Sequence, residues 1–360
     1  MMKKLNLIGW AILSLTITFV LNSCEDDDNP SPTGVYTDGV FIVNEGNSTS
    51  GGSVSFYSYQ GDTVSNNIFK NVNDRPLGTF VQSLTNFNNK TFIVVNGSNK
   101  VEVVEQHNFK EVATITGFDM PRYFIPVTND KAYVTQWGNE GQVKVIDLQN
   151  NEISNTIDVG NGPEKMYSYY NKIYVANGGG LDVDSTIFVI DAMTDQVIDT
   201  IEVGHNPKDM VIDIDLNLWV LCYGYVQYGE DWSIVSESPS ELYKINTNDH
   251  SIINSYKISD NLHPGHLEIS PDGKSIYYGA GFSFGNIYKM NIYDSELPAN
   301  PFSDKYFYGF NVDWTDGTIF ALEAPDFTSN GFLYRIHPDG TILGNYEVGI
   351  GPNSIGMKKK

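Results

Sequence analysis

The chain has 360 residues, with 44 acidic against 22 basic side chains and a formal charge of −22. Such a surface repels phosphate backbones, which argues against nucleic acid as a partner and favours solubility outside a cell. Cys24 and Cys222 are the only two cysteines, too few for a disulfide-stapled scaffold.

Residues 1–23 have the three parts of a secretion signal. Lys3 and Lys4 supply positive charge, Leu5 to Leu21 is mostly apolar, and Ser23 is small at the processing point. The run Leu21-Asn22-Ser23-Cys24 resembles a bacterial lipoprotein box, which implies cleavage before Cys24 and its lipidation. A membrane span is the alternative, but Thr16, Thr18 and Asn22 interrupt a run already marginal against ~20 apolar residues. Loss of Lys3 and Lys4 with the signal takes the charge to −24. With Cys24 consumed by lipid, Cys222 is left alone on a predicted strand as a small apolar filler.

Residues 24–38 read as the lipidated Cys and a tether. Glu25-Asp26-Asp27-Asp28 and then Asn29-Pro30-Ser31-Pro32-Thr33-Gly34 have no apolar content to fold with. An acidic run directly after such a Cys resembles the surface-export signal of Bacteroidota lipoproteins. That resemblance implies an outer-membrane anchor with the chain facing the extracellular side. A merely solvated acidic linker is the other reading.

From residue 39 to 360 a four-strand unit recurs. Its second strands align on Phe41, Phe92, Tyr133, Tyr174, Trp219, Tyr277 and Phe320. Its third strands follow independently, from Val54-Ser55-Phe56-Tyr57 through Val143-Lys144-Val145-Ile146 to Leu333-Tyr334-Arg335-Ile336, mostly alternating and ending in turn residues. Each series counts seven. The unit opens with Gly160-Asn161-Gly162-Pro163 and Gly204-His205-Asn206-Pro207, and this opening returns at the far end as Gly349-Ile350-Gly351-Pro352. A chain that ends on the first strand of a unit and begins on the second, Val40 to Asn44, is built to close a ring. The expectation is an all-β, seven-bladed β-propeller in one domain, sealed by pairing residues 353–357 with the N-terminal blade.

Tyr174-Val175-Ala176-Asn177 and Tyr133-Val134-Thr135-Gln136, with the preceding Gly-x-x-Pro and the trailing Ile190 to Thr194, resemble the Tyr-Val-Thr-Asn (YVTN) repeat propellers, YncE among them. The resemblance spans roughly Gly39 to Met357 and is sharpest in the third and fourth blades. This propeller type on a lipid anchor with an acidic export signal is similar to the BtuG group of Bacteroidota surface lipoproteins. That likeness implies capture of cobalamin or a related corrinoid such as cobinamide. It also implies delivery to a TonB-dependent outer-membrane transporter of the BtuB type, with no cofactor of the protein's own and no turnover.

Propeller loops gather function at one mouth of the central channel. The residues after the Pro positions meet there: Arg122, Tyr123, Glu164, Lys165, Lys208, Asp209 and His266. The loops between second and third strands add Asn96, Trp137, Asn177, Tyr223, Phe282, Phe284 and Phe327. One of these loops is much longer than its counterparts, running from Gly224 to Glu241 with Tyr225, Tyr228 and Trp232. Aromatic rings and amides on a shallow face suit a large amphipathic ligand. The expected ligand-binding set is Trp137, Tyr223, Tyr225, Tyr228, Trp232, Phe284, Arg122, Tyr123, Asn96, Asn177 and His266.

Two further functions stay open. One is a protein- or glycan-binding adhesion or scaffold module. The other is a lyase or hydrolase using histidines at the mouth, where His205, His263 and His266 cluster. No nucleophile elbow, phosphate loop or Cys-x-x-Cys is present, and Asp182 with Asp184 is too loosely spaced for more than a weak Ca²⁺ suggestion.

Overall fold

The computed structural model describes residues 35–231 and 233–357. The predicted signal, Cys24 and the tether as far as Gly34 lie outside them, as does Trp232. Seven antiparallel sheets form the blades of a ring. From the axis outwards, blade 1 is Pro352–Gly356, Gly39–Asn47, Gly51–Ser58 and Thr63–Ser65. Blade 2 begins at Val81–Phe87, blade 3 at Pro121–Pro126, blade 4 at Pro163–Tyr169 and blade 5 at Pro207–Ile212. Blade 6 begins at His266–Ile269 and blade 7 at Gly309–Val312.

Each second strand is buried on both faces, which is why it reads as an unbroken apolar run. Along Lys90–Val95, Phe92 and Val94 pack toward blade 3, while Ile93 and Val95 pack toward blade 1. Seven hydrophobic clusters result, one in each gap between neighbouring blades. The repeat aromatics also carry polar ties across the gaps. Lys131 Nζ reaches Asp195 of blade 4 at 2.6 Å, and Tyr133 donates to the same carboxylate. Tyr57 OH donates to Asp62 at 2.6 Å and accepts from Arg335 of blade 7.

The ring closes as the repeat predicts. Phe41 pairs with Gly356, Ile42 with Ile355, Val43 with Ser354 and Asn44 with Pro352. Two features depart from the four-strand repeat. Among the described residues blade 6 has three strands, and its third, Ile287–Asn291, is partnered outside only by a bridge from Ile287 to Ser303. A short helix, Ile68–Asn73, buries Ile68 and Phe69 between blades 1 and 2.

Candidate functional site

The inner strands of blades 3, 4 and 5 carry a register shift directly after their prolines, at Pro121/Phe124, Pro163/Met166 and Pro207/Asp209. A bulge breaks the usual alternation and re-aims side chains. Successive residues, Arg122 with Tyr123, Glu164 with Lys165 and Lys208 with Asp209, therefore reach the channel network together. Blade 6 has no such shift: His266 pairs with Gly279, Leu267 with Tyr278 and Glu268 with Tyr277. There His266 and Glu268 face the axis and Leu267 is buried against blade 5.

The charges are arranged blade to blade. Arg122 donates from Nε and Nη2 to both carboxylate oxygens of Glu164, at 3.2 and 3.0 Å, and from Nη1 to Gln82 at 2.5 Å. Burial opposes its charge, but Glu164 outweighs that and holds the guanidinium pKa above its usual value. The same guanidinium lies 4.1 Å from the Trp137 ring centroid, a cation–π contact. Gly180, at φ +63°, approaches that indole so closely that an added Cβ would stand 3.4 Å from it. Lys165 bonds Asp209 at 2.5 Å, and Asp209 also accepts the backbone N–H groups of Met210 and Leu267. Burial works against the Lys165 charge too, yet Asp209 and Glu268 raise its pKa. Burial pushes Tyr123 to about 12 and drives His266 well below the usual histidine value, with Lys165 and Lys208 adding to the latter.

Glu268 accepts from Asn311 at 2.6 Å and is raised by burial to about 7. The folded protein therefore holds a proton that the unfolded chain releases above about pH 4.5. The stability tied to that proton is present below that pH and is lost as pH rises through about 7. Glu268→Gln mimics the protonated form, so its melting temperature should fall less than the native protein's across this window. Parallel curves would show that Glu268 ionises normally.

The predicted residues divide by environment. Arg122, Tyr123 and His266 join the channel network, and Trp137 and Tyr223 sit half-buried at its mouth. Tyr223 is stacked on His263 with centroids 5.0 Å apart, and Lys208 Nζ lies 4.8 Å from its ring. The long insertion folds as a hairpin, Val226–Tyr228 paired with Ile234–Glu237, which carries Tyr225 at its base and an exposed Tyr228. Three expectations are corrected. Phe284 is buried between blades 5 and 6 against Tyr288, and the exposed ring is Phe282 two residues earlier. Asn177 is fully buried and donates to Thr186, and Asn96 donates to the Pro121 carbonyl, so both amides serve the loops.

Two of the three mouth histidines hold the loops. His205 bonds Ser238, while His263 bonds the Tyr223 carbonyl and faces Glu237, so both pin the hairpin base. Asp184 is taken up by Asn161 N–H and by Thr186. No group of three metal-ligating side chains occurs among the described residues. Sequence reasoning missed Gln82, Glu268, Tyr308 and Asn311. Only Glu268, at alternate spacing from His266, carried a signal. Tyr308, which donates to Glu45 at 3.0 Å, belongs to a blade whose inner strand lacks the Gly-x-x-Pro opening.

Comparison with known structures places the chain among propellers. A quinonprotein alcohol dehydrogenase-like protein from Bacteroides thetaiotaomicron is 16% identical with a TM-score of 0.64, over 89% of this chain and 78% of that one. The periplasmic gluconolactonase of Pseudomonas aeruginosa is 11% identical, also at 0.64, over 88% and 98%. A putative 6-phosphogluconolactonase from Bacteroides uniformis is 11% identical at 0.62, over 89% and 99%. At these identities the likeness is one of fold. No curated protein matches significantly. Residues 38–317 match the family described as a domain of unknown function, DUF5074. A match over most of the chain shows the family: this seven-bladed propeller belongs to DUF5074.

Proposed function

We propose that the channel mouth captures a corrinoid, cobalamin or cobinamide, and passes it to a TonB-dependent outer-membrane transporter. In this reading the protein is held on the outer face of the outer membrane by lipid on Cys24. The observation that carries it is the mouth itself. Arg122 on Trp137 and Lys208 on Tyr223 flank a polar channel, and exposed Phe282 and Tyr228 rise around them. A wide amphipathic ring with amide edges matches flat aromatic surfaces beside fixed donors. The lipoprotein-like start of the chain and its likeness to the BtuG group support the same reading.

Calorimetry with both corrinoids tests it. Trp137→Ala should weaken binding by about 2 kcal/mol, roughly thirtyfold, as expected for a central aromatic anchor. Phe282→Ala, at a side chain 73% exposed, should weaken binding without lowering the melting temperature. Lys144→Ala should change nothing, because its ammonium is spent on Gln142 and Thr156. No heat with either corrinoid at micromolar protein would sink the capture reading and leave the rim as a protein- or glycan-binding surface. Protease treatment of intact cells tests the anchor: Cys24→Ala should abolish surface-accessible protein.

A further inference from the structure

Three side-chain cations meet in the channel, and two are spoken for. Arg122 is bound on two nitrogens by Glu164, and Lys165 is bound by Asp209. Lys208 is different. No carboxylate among the described residues lies within ion-pair distance of it, and its one close partner is the face of Tyr223. It is nonetheless at the axis, because it feels Glu45 of blade 1, Arg122 of blade 3 and Glu164 of blade 4, and acts on His266 of blade 6. The three carboxylates that act on it are committed elsewhere, Glu164 to Arg122, Glu45 to Tyr308 and Asp209 to Lys165.

Two unused donors belong to the same network, both beside the Arg122 that acts on this ammonium. Trp137 Nε1 is buried without a partner, on the indole that stacks with Arg122. Tyr123 OH accepts from Gln82, which leaves its own proton free to donate. A desolvated cation without a counter-ion is costly, as is a buried donor without an acceptor. The chain carries 44 acidic side chains, and none of those described is paired with this cation.

We propose that Lys208 anchors an oxyanion subsite just inside the mouth, with Tyr123 and Trp137 Nε1 as neutral donors, which takes a phosphate or carboxylate group of the captured molecule. The subsite stands on this geometry. Only the identity of the parent ligand rests on the corrinoid reading. Cobalamin carries a phosphodiester in its nucleotide loop and cobinamide lacks that loop, so the two separate the claims.

Calorimetry of the full chain with millimolar inorganic phosphate, with acetate, and with each corrinoid tests the subsite. Lys208→Met should weaken the preferred simple anion by about tenfold or more, the usual consequence of losing a charge-assisted bond, while Lys208→Arg keeps it. Phosphate bound more tightly than acetate assigns a phosphate group, and the reverse order a carboxylate. In Lys208→Met, cobalamin should weaken and cobinamide should not. Lys208→Met should also melt no lower than the native protein, because it removes an unpaired charge. Neither anion binding the native chain, equal binding by Lys208→Met, or a lower melting temperature would overturn the proposal. Silence from both corrinoids alongside Lys208-dependent anion binding would leave the subsite standing and remove the corrinoid.

Discussion

A chain ending at Gly351 should fail to fold cooperatively. The closing strand supplies the innermost ladder of blade 1, and Pro352, Asn353, Ile355 and Gly356 are all buried. It also ties three blades together. Asn353 reaches the Val81 and Gln82 carbonyls of blade 2, the Ile355 N–H donates to Asn311 of blade 7, and Ile355 packs in the gap between blades 7 and 1. Without it the second strand of blade 1 becomes an open edge and two apolar gaps are uncovered. The expected loss exceeds about 5 kcal/mol, comparable with the whole stability of a typical domain. Thermal and urea unfolding provide the measure, and a peptide of residues 349–360 should restore part of the transition. A truncated protein melting as cooperatively and as hot as the full chain would refute closure by this strand.

Asp209→Ala should be the most damaging single substitution in the channel. It strips Lys165 of its counter-ion and removes the acceptor of the Leu267 N–H, one of the polar ties between blades 5 and 6. Breaking a buried pair from one side typically costs about 3–5 kcal/mol, because the remaining charge stays desolvated. Adding Lys165→Met to the same chain should recover much of that loss, since the stranded charge disappears. If Asp209→Ala alone lies within about 1 kcal/mol of the native protein, the pair is solvated and the channel is wetter than its geometry implies.

The ring was legible in the sequence because its strands obey burial. Second strands buried on both sides read as apolar runs around an aromatic, and the returning Gly-Pro announced the closure. What repetition does not encode was lost. The third blade edge of blade 6 runs into Pro298 and Pro301 where a fourth strand was expected, and proline cannot extend a ladder. The helix at Ile68–Asn73 is too short to show a period of 3.6 residues. In the site, the spacing after each proline brought Arg122, Tyr123, Lys208 and His266 correctly to the channel. It did not reveal which cation finds a partner, because ion pairs such as Arg122 with Glu164 join different blades. Phe282 and Phe284 differ only in how an irregular loop turns, and hydrophobicity alone does not record that turn.

The same closure also sets a clock on the molecule. Synthesis proceeds from the N-terminus, so among the strands of the ring Gly39–Asn47 emerges first and waits for Pro352–Gly356, which emerges last. Until the final residues arrive, the first blade lacks its inner strand and the ring has two free ends. A chain of this design stays unclosed for the whole of its synthesis. It becomes whole only once the closing strand has left the ribosome.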